Sequence, residues 1–285
     1  MGRKYYHRTD HDKKGMKHLF SDWKMIEKAL KGKFIYLFLD YDGTLAPIAD
    51  TPNKAITPNE IKDLLSKLLK ISNCKIAIVS GRALSDVSKR VGLKNIVYVG
   101  NHGFEIKGPK IKFKSPVSYK YRKVLKETKT KLEKELSPFK GVFIEDKGFC
   151  MTVHYRLADE NDIPAITSKF YMTTFIDEFR NNIQVRSGKM TREIRPPILW
   201  NKGMAALWLL DRQSAAMKSK KIEIFPVYIG DDLTDEDAFQ VLKGKGLTIF
   251  VGKPNNTKAR FYLKDTKEVA VFLTKILEIL DKGTV

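Results

Sequence analysis

The sequence predicts an α/β protein with a doubly wound parallel sheet, into which an α+β domain is inserted. Three observations lead to this fold class. Strands and helices alternate over about the first hundred residues, a middle stretch of hairpins and charged helices interrupts the pattern, and the alternation then returns. Parallel strands joined by helices give a sheet covered on both faces, and such sheets bind ligands beyond the carboxyl ends of their strands.

The first alternating part starts with a helix and an apolar strand. Apolar residues recur at helical spacing from Leu19 to Leu30, and FIYLFLD (34–40) is typical of a strand that is buried on both faces. The elements that follow are, in order, the amphipathic helix EIKDLLSKLLK, the strand KIAIVS (75–80), the short helix ALSDVSKRVG and the strand NIVYVG (95–100). The pattern is therefore strand, helix, strand, helix, strand.

The middle part has hairpins instead of crossovers. After about residue 104, FEI-KGPK-IKF predicts a hairpin and SYKYRKVLKETKTKLEKEL predicts a long charged helix. GVFIEDKGFCMTVHYR predicts two strands around Lys147 and Gly148, DIPAITSKFYMTTFIDEF predicts a helix, and IQVRSGKMTREIRPP predicts another hairpin. Hairpins alternating with helices indicate a separate α+β domain.

The first pattern returns with NKGMAALWLLDRQ (201–213), followed by the strands FPVYIGD and GLTIFVG and a last helix around VAVFLTKILEIL. We therefore predict a core formed by residues 18–106 and 199–285 and an inserted domain formed by residues 107–198. Residues 1–17, rich in Arg, Lys, His and Tyr, predict a flexible basic arm.

The composition indicates a globular protein with a real core, since 42% of the residues are hydrophobic. No apolar stretch approaches the roughly 20 residues that cross a bilayer, and MGRKYYHRTDHDKKG contains no apolar segment of signal-peptide type. We therefore expect a cytoplasmic protein without a membrane partner. Cys74 and Cys150 each fall in a predicted strand, which favours core thiols over a disulfide or a metal site.

The net charge of +20 raises the possibility of a polyanionic partner such as nucleic acid. The lysines are nevertheless spread over almost every predicted helix, and the chain has no RNA-binding signature. A lysine-rich solvated surface is the simpler interpretation, so we expect no specific nucleic-acid partner. An RNA-associated protein, in which the predicted α/β fold is incidental to function, stays open as an alternative.

Two aspartates end the first buried strand, in FLDYDGTLAPI (38–48). Asp40 and Asp42 are two residues apart, so in an extended strand both carboxylates can face one small volume at the carboxyl end of the strand. Two like charges held together there indicate a bound cation.

The ends of other strands supply companions to these aspartates. KIAIVS stops at Ser80, with Arg82 close behind, and FPVYIGDD stops at Asp231 and Asp232. Asp40 and Asp231, with a backbone carbonyl and waters, would form an oxygen-only octahedral site that suits Mg²⁺. Lys202 starts an apolar helix, where its charge and the helix-terminal N–H groups suit an anion such as phosphate.

These residues carry a family resemblance. D-x-D-G-T after the first strand, Ser80 ending the second, Lys202 later and GDDLTDE (230–236) last resemble the four motifs of haloacid-dehalogenase-type (HAD-type) phosphatases. More narrowly, DYDGTLAPI, VSGR, GNHGFEI, EIRPP, NKG and GDDLTDEDAF together are similar to the trehalose-6-phosphate phosphatase family. The resemblance covers the chain after about residue 18 and implies a Rossmann-like, HAD-type core with a sugar-recognising cap.

The resemblance implies a reaction in which Asp40 attacks phosphorus and forms an aspartyl phosphate. Asp42 would protonate the leaving sugar oxygen and then deprotonate the water that hydrolyses the intermediate. Ser80 and Lys202 would hold the oxygens of the transferring phosphoryl group.

The metal site implied by the resemblance contains Asp40, the backbone carbonyl of Asp42, and Asp231. Asp232 or Asp235 would support this site, either as a direct ligand or through another ligand. The expected cofactor is Mg²⁺, which lowers the repulsion between the nucleophile and the phosphate.

The resemblance implies that the cap determines which substrate is bound. The residues expected to bind the sugar hydroxyls and the phosphate are Lys147, His154, Lys189 and Glu193 in the cap, with Arg82, Asn101 and His102 on the core side. The expected substrate is a sugar phosphate, the expected state is a monomer, and a trehalose-6-phosphate synthase is a possible partner.

Two further alternatives stay open at this point. A related phosphatase of sucrose phosphate or of a mannosyl phosphoglycerate would share every catalytic residue and differ in the cap; EIRPP and GNHG favour trehalose. A catalytically silent homologue with a regulatory or binding role is the other, and the intact Asp40 and Asp42 argue against it.

Overall fold

The computed structural model describes residues 16–49, 51, 54–117, 119–176, 179, 181–188, 190–218, 222–253 and 256–281. Most of the predicted basic arm lies outside these residues, as does the predicted site residue Lys189. Lys17, the last residue assigned to the arm, begins a short strand.

The larger sheet contains nine strands of the described chain. In spatial order these are β1 (Lys17–His18), β13 (Phe261–Leu263), β12 (Leu247–Val251), β11 (Ile224–Gly230), β2 (Phe34–Asp40), β3 (Cys74–Val79), β4 (Val97–Gly100), β5 (Glu105–Gly108) and β6 (Ile111–Lys114). The pairings from β1 across to β4 are parallel, and those of β5 and β6 are antiparallel. The predicted doubly wound parallel sheet is therefore confirmed.

Strand β2 lies in the middle of this sheet, between β11 and β3, and all of its residues are buried. Its side chains alternate between the two faces. Ile35, Leu37 and Leu39 join one apolar core, whereas Tyr36 and Phe38 join the other. A strand with apolar residues at every position is thus explained by helices on both sides.

Helices cover both faces of the larger sheet. One core is formed with α1 (Trp23–Leu30), α2 (Asn59–Leu68), α3 (Leu84–Val91) and α8 (Thr266–Asp281). The other core is formed with α6 (Lys202–Met217) and α7 (Glu236–Leu242). Because this arrangement buries the sheet faces, the carboxyl ends of the strands are the edge that stays open to a ligand.

The hairpin β5–β6 extends the larger sheet at its β4 side. Residues 107–114 belong to the predicted insertion, whereas β5 (Glu105–Gly108) pairs with β4 and β6 (Ile111–Lys114) pairs with β5. Ile106, Ile111 and Phe113 pack in the core beside α6, so the apolar side of the hairpin is buried against this part of the chain. The predicted limits of the two domains, 18–106 with 199–285 and 107–198, stay a prediction.

The smaller sheet has four antiparallel strands in the order β7 (Phe143–Asp146), β8 (Met151–His154), β10 (Thr191–Arg195) and β9 (Gln184–Gly188). Helices α4 (Tyr119–Leu136) and α5 (Ile163–Thr174) share an apolar core with one of its faces. The α+β character predicted for the middle of the chain is confirmed. The other face of this sheet looks toward the carboxyl ends of β2 and β11 across a cleft.

The described helices include none that is both long enough and apolar enough to cross a membrane.

Candidate active site

A buried group of charges lies where β2 and β11 end. Asp40 is the last residue of β2, Asp231 directly follows β11, and Lys202 is the first residue of α6. The Lys202 ammonium donates to Asp40 Oδ1 at 2.6 Å and to Asp235 Oδ1 at 2.8 Å. The fold therefore brings Lys202 against Asp40 and Asp235, although the sequence places Asp40 far from the other two residues.

The charges of this group shift one another's protonation. Burial raises the pKa of Asp40 well above its usual value, although the Lys202 charge opposes the rise. Burial disfavours the Lys202 ammonium as well, but Asp235 and Asp40 outweigh it and raise the lysine pKa above its usual value. The lysine is therefore a fixed positive charge between two carboxylates.

The same group fits a magnesium ion. Carboxylate oxygens of Asp40, Asp231 and Asp235 lie within 4.8 Å of one another, and all three residues are buried. A set of hard oxygen donors is what Mg²⁺ selects. Asp232 is not in this set, and its Oδ1 accepts the Leu233 N–H at 2.7 Å.

Glycine at position 43 makes room for this group. A Cβ built on Gly43 would lie 2.1 Å from Asp231 Oδ2, and the residue has a φ of +83°. Only glycine adopts that backbone conformation without strain while allowing so close an approach. The D-x-D-G-T pattern thus reflects a steric requirement of the Asp231 carboxylate.

Asp235 is held from three sides. It accepts hydrogen bonds from Lys202, from the Tyr228 hydroxyl at 2.8 Å, and from the Asp232 N–H at 3.1 Å. Sequence reasoning gave Asp235 a supporting role but missed Tyr228. The available signal was that Tyr228 lies two residues before Gly230, the last residue of β11, so the two positions share one face of the strand.

Arg82 binds the carboxylate of Asp42, two residues after the end of β2. Its Nη1 also contacts Asp86 Oδ2 at 2.9 Å. Burial of the guanidinium would lower the Arg82 pKa, but Asp42 and Asp86 together raise it. The Asp42 side chain stays 41% exposed, so it is open to the cleft while its orientation is fixed.

Ser80 is anchored by the backbone around it. Its N–H donates to the Val99 carbonyl at 2.9 Å, its carbonyl accepts the His102 N–H at 3.0 Å, and its hydroxyl accepts the Arg82 N–H at 3.1 Å. The residue is 1% exposed. The loop after β3 is therefore tied to the end of β4 by Ser80.

Asn101 and His102 adopt the left-handed conformation in succession, with φ of 50° and 56°. Such backbone conformations are unfavourable for residues other than glycine and concentrate at functional sites. The Asn101 side-chain amide donates to Glu105 Oε2 at 2.7 Å, and its buried Oδ1 has no partner among the described residues. The turn presents both side chains to the inserted sheet.

His102 connects the core to the inserted sheet. Its Nε2 lies 2.8 Å from Glu193 Oε1, and both residues are buried. Burial, together with the charge of Arg195, lowers the pKa of His102 to about 3, so the ring is neutral near pH 7 and Nε2 donates its hydrogen to the carboxylate.

Glu193 collects positive groups from both parts of the molecule. Its carboxylate lies 2.6 Å from Arg195 Nε and 3.6 Å from Lys147 Nζ. Burial opposes ionisation, but His102, Lys147 and Arg195 together lower the pKa of Glu193 well below its usual value. Sequence reasoning missed Arg195, although its position two residues after Glu193 in the same predicted strand was an available signal.

His154 and Lys147 share a second acidic partner. His154 Nε2 lies 2.8 Å from Glu145 Oε2, and Lys147 Nζ lies 3.8 Å from it. Glu145 is a further residue that sequence reasoning missed. Its position two residues before Lys147 in a strand was the available signal.

A cavity of about 250 Å³ opens between the two sheets. The predicted residues that line it are Asp40, Asp42, Arg82, His102, Lys147, His154, Glu193, Lys202, Asp231 and Asp232. The buried residues Ser80, Asn101 and Asp235 lie behind this lining through the contacts given above.

Comparisons with known proteins agree with the family resemblance of the sequence motifs. The sequence model of the family described as trehalose-phosphatase matches residues 38–267. Probable trehalose-phosphate phosphatase 3 of Oryza sativa subsp. japonica is 35% identical over 284 residues, which covers 92% of this chain and 75% of the relative. Trehalose-phosphate phosphatase B of Arabidopsis thaliana is 36% identical over 265 residues, which covers 89% of this chain and 69% of the relative.

A solved structure is similar as well. The C-terminal domain of trehalose-6-phosphate phosphatase from C. albicans matches with a TM-score of 0.80 at 25% identity, covering 93% of this chain and 99% of the other. The stretch matched by the family model contains every strand-end residue described above.

Proposed function

The chain belongs to the trehalose-phosphatase family, and from that membership we propose that it hydrolyses trehalose 6-phosphate to trehalose and inorganic phosphate. The reaction class is that of a phosphoric monoester hydrolase. The resemblance drawn from the sequence motifs is thereby confirmed at the level of the family. One observation carries the proposal: Asp40 ends the central strand, is held by Lys202 at 2.6 Å, and lines a cavity roofed by the inserted sheet.

The first step is attack by Asp40 on phosphorus. Lys202 holds Oδ1, while Oδ2 accepts no hydrogen bond from the described residues and is the oxygen available for attack. A bond forms between this oxygen and phosphorus, the bond from phosphorus to the sugar oxygen breaks, and its electron pair leaves with the sugar oxygen. Asp42 supplies the proton that this oxygen takes up.

The second step releases phosphate from the aspartyl phosphate. Asp42, now a carboxylate, takes a proton from a water molecule, and that water attacks phosphorus. The bond between Asp40 and phosphorus breaks, which restores the Asp40 carboxylate. One residue thus acts as acid and then as base, which requires that its carboxylate keep one orientation; the two hydrogen bonds from Arg82 provide this.

Magnesium would be held by Asp40, Asp231 and Asp235, with the Asp42 carbonyl as a further ligand, and would stabilise negative charge on the phosphoryl oxygens. Asp232 would act only indirectly, through the hydrogen bond from its N–H to Asp235. Lys202 supplies a permanent positive charge beside the same group.

Ser80 and Lys202 would hold the transferring phosphoryl oxygens. The Ser80 hydroxyl accepts the Arg82 N–H, so its own hydrogen is free to point toward a phosphate oxygen. The Lys202 ammonium has three hydrogens and two described partners, which leaves one for the phosphate.

The sugar would bind against the inserted sheet. Glu193, Lys147 and His154 all line the cavity, and each is already held by a neighbouring charge. Side chains fixed in this way lose little freedom when a ligand binds. Arg82, Asn101 and His102 would complete the site from the core side, and Lys189 is kept as a proposed sugar-binding residue.

The setting of the reaction is proposed on the same basis. The substrate joins two sugars and carries one phosphate, so a glycosyl-transfer reaction must precede this step, and a trehalose-6-phosphate synthase is the partner we propose. We further propose that the chain acts as a monomer in the cytoplasm.

Phosphate release from a panel of substrates tests the proposal. The panel contains trehalose 6-phosphate, sucrose 6-phosphate, a mannosyl phosphoglycerate, glucose 6-phosphate and an aryl phosphate, each with and without Mg²⁺. A Mg²⁺-dependent preference for trehalose 6-phosphate supports it. Preference for another sugar phosphate overturns the substrate assignment and keeps the chemistry, whereas no release from any substrate favours a silent binding homologue.

A further inference from the structure

One face of the smaller sheet forms a wall of the cavity. The strand register aligns two rows of side chains on this face. The first row contains Phe143, His154, Thr191 and Gly188, and the second contains Glu145, Thr152, Glu193 and Arg186. All of these residues line the cavity.

Phe143 is the one hydrocarbon ring on this wall, whose other described members are polar residues or glycine. The opposite face of the sheet supplies Ile144, Val153 and Ile194 to the apolar core beneath α4 and α5. Phe143 belongs to no described apolar core and is 40% exposed. Core packing therefore does not explain an aromatic side chain at this position.

A histidine of the neighbouring strand covers one face of the Phe143 ring. It stacks on the His154 imidazole with ring centroids 4.4 Å apart and planes inclined by 6°. The imidazole is in turn fixed by Glu145, 2.8 Å from His154 Nε2. A flat apolar surface thus lies at the cavity wall with one face on His154, and the described residues place no aromatic ring or cation on its other face.

This ring lies away from the reacting carboxylate. Glu193, in the second row, contacts the core through His102. The row of Phe143 lies two residues further along the strands, a distance of about 7 Å. The exposed side chains of Ile48 and Leu157 also line the cavity, which gives it an apolar portion besides its charged one.

A polar atom in the second row lacks a partner. Thr152 is 4% exposed, and its Oγ1 forms no hydrogen bond with the described residues although the residue lines the cavity. A buried hydroxyl of this kind is costly unless a ligand or water completes it. The wall therefore presents the exposed ring of Phe143 in one row and, in the adjacent row, the Thr152 hydroxyl, which has no hydrogen-bond partner among the described residues.

We propose that Phe143 is a specificity-determining residue whose uncovered ring face packs against the C–H face of a pyranose ring of the substrate. The role of Phe143 rests on the proposed function, because the proposed substrate is a disaccharide phosphate and therefore has a second sugar ring beyond the phosphorylated one. A pyranose has hydroxyl groups around its edge and C–H groups on its faces. The C–H groups are attracted to the negative face of an aromatic ring, while Thr152 Oγ1 is placed to bond an edge hydroxyl.

Steady-state kinetics of four variants test this role. Phe143→Ala removes the ring, Phe143→Leu keeps apolar bulk without a ring, and Phe143→Trp restores a flat aromatic surface. Phe175→Ala is the matched control, since Phe175 is an exposed aromatic residue (52%) that does not line the cavity. The substrates are trehalose 6-phosphate and acetyl phosphate, which has no sugar ring to stack.

We expect Phe143→Ala and Phe143→Leu to raise KM for trehalose 6-phosphate by about tenfold, with the Trp variant and the Phe175 control within about twofold of wild type. None of the four variants should change kcat/KM for acetyl phosphate by more than about twofold. Equal losses on both substrates, or an unchanged KM for the disaccharide phosphate in Phe143→Ala, would overturn the role of the ring.

The two proposals can fail separately. If the wild-type enzyme hydrolyses sucrose 6-phosphate rather than trehalose 6-phosphate, the substrate assignment fails, and the same variants measured on sucrose 6-phosphate decide the role of Phe143. If it hydrolyses neither, titration of the Phe143→Trp variant with trehalose and with sucrose decides it. A saturable change in tryptophan emission that is absent from wild type supports the ring contact, and no change with either sugar overturns it.

Discussion

Arg82 donates two hydrogen bonds to the carboxylate of Asp42, with Nε 2.7 Å from Oδ2 and Nη2 2.6 Å from Oδ1. A guanidinium that bonds both oxygens fixes the plane of the carboxylate as well as its position. In the proposed reaction Asp42 must give a proton to the leaving sugar oxygen and later take a proton from the attacking water. The pair therefore places the acid–base group before the substrate arrives.

Replacing Arg82 by lysine tests this arrangement. Lys keeps the positive charge but loses the two-pronged contact, so we expect kcat for the preferred sugar phosphate to fall by about tenfold or more. Asp86→Asn is the matched control, because it alters the other carboxylate on Arg82 and leaves Asp42 in place. A wild-type kcat for Arg82→Lys would show that the orientation of Asp42 does not limit the reaction.

Lys202→Met tests the charge between Asp40 and Asp235. It leaves two buried carboxylates without their cation, so we expect phosphate release to be lost and the free energy of unfolding in urea to fall by about 3 kcal/mol. Lys202→Arg keeps the charge and should fold with a reduced kcat. Unchanged stability and activity in the Met variant would contradict the assigned role.

Glu193→Gln tests sugar recognition at nearly constant volume. The change weakens the carboxylate contacts with His102 and Arg195 and removes a strong acceptor for sugar hydroxyls. We expect kcat/KM for trehalose 6-phosphate to fall by about tenfold more than kcat/KM for a small aryl phosphate. If both substrates lose activity equally, Glu193 has no specific part in binding the sugar.

The neutral His102 makes stability depend on pH. Burial and Arg195 lower its pKa to about 3 in the folded protein, against about 6.5 in an unfolded chain. Between these values the unfolded state binds the proton and the folded state does not, so stability decreases as the pH falls. The pKa of Glu193 is lowered, so its contribution is lost only below the usual glutamate pKa and does not enter near pH 6.

Urea unfolding at two pH values measures this effect. On going from about pH 7.5 to about pH 5.5, we expect this one histidine to remove about 1 kcal/mol of stability. His102→Gln keeps a hydrogen-bond donor near Glu193 but does not titrate, so its loss of stability should be smaller by about that amount. Identical pH dependences for the two proteins would show that His102 is not held neutral.

Much of the core site could be predicted from the sequence. FIYLFLD and FPVYIGD are strands that end in aspartate, and parallel strands place their carboxyl ends at one edge, so Asp40 and Asp231 had to meet. The hairpin β5–β6 shows the limit of such reasoning. Its local pattern is the same whichever sheet it joins, and only the apolar surface beside α6 decides between them.

The contacts of the inserted sheet were less predictable. The partners of Glu193 come from a different part of the chain, His102, and from two residues away in the same strand, Arg195. The spacing of two residues puts Glu193 and Arg195 on one face of a strand, but it does not show that this face is buried, and nothing in the sequence pairs Glu193 with His102. Asn and His enter the left-handed region more often than most other residues, but nothing in the sequence shows that Asn101 and His102 adopt it in succession.

The central claim is that Asp40 carries the phosphoryl group. Rapid acid quenching of the Asp42→Asn variant after mixing with an aryl phosphate labelled on phosphorus tests it directly, because an aryl oxide leaves without the proton that Asp42 supplies, whereas loss of the base slows the second step and lets the intermediate accumulate. We predict label on the peptide that contains Asp40 and none on the Asp40→Asn protein, which should also release no phosphate. If the Asp40→Asn protein released phosphate at the wild-type rate, or if the label were on a different residue, the account would be contradicted.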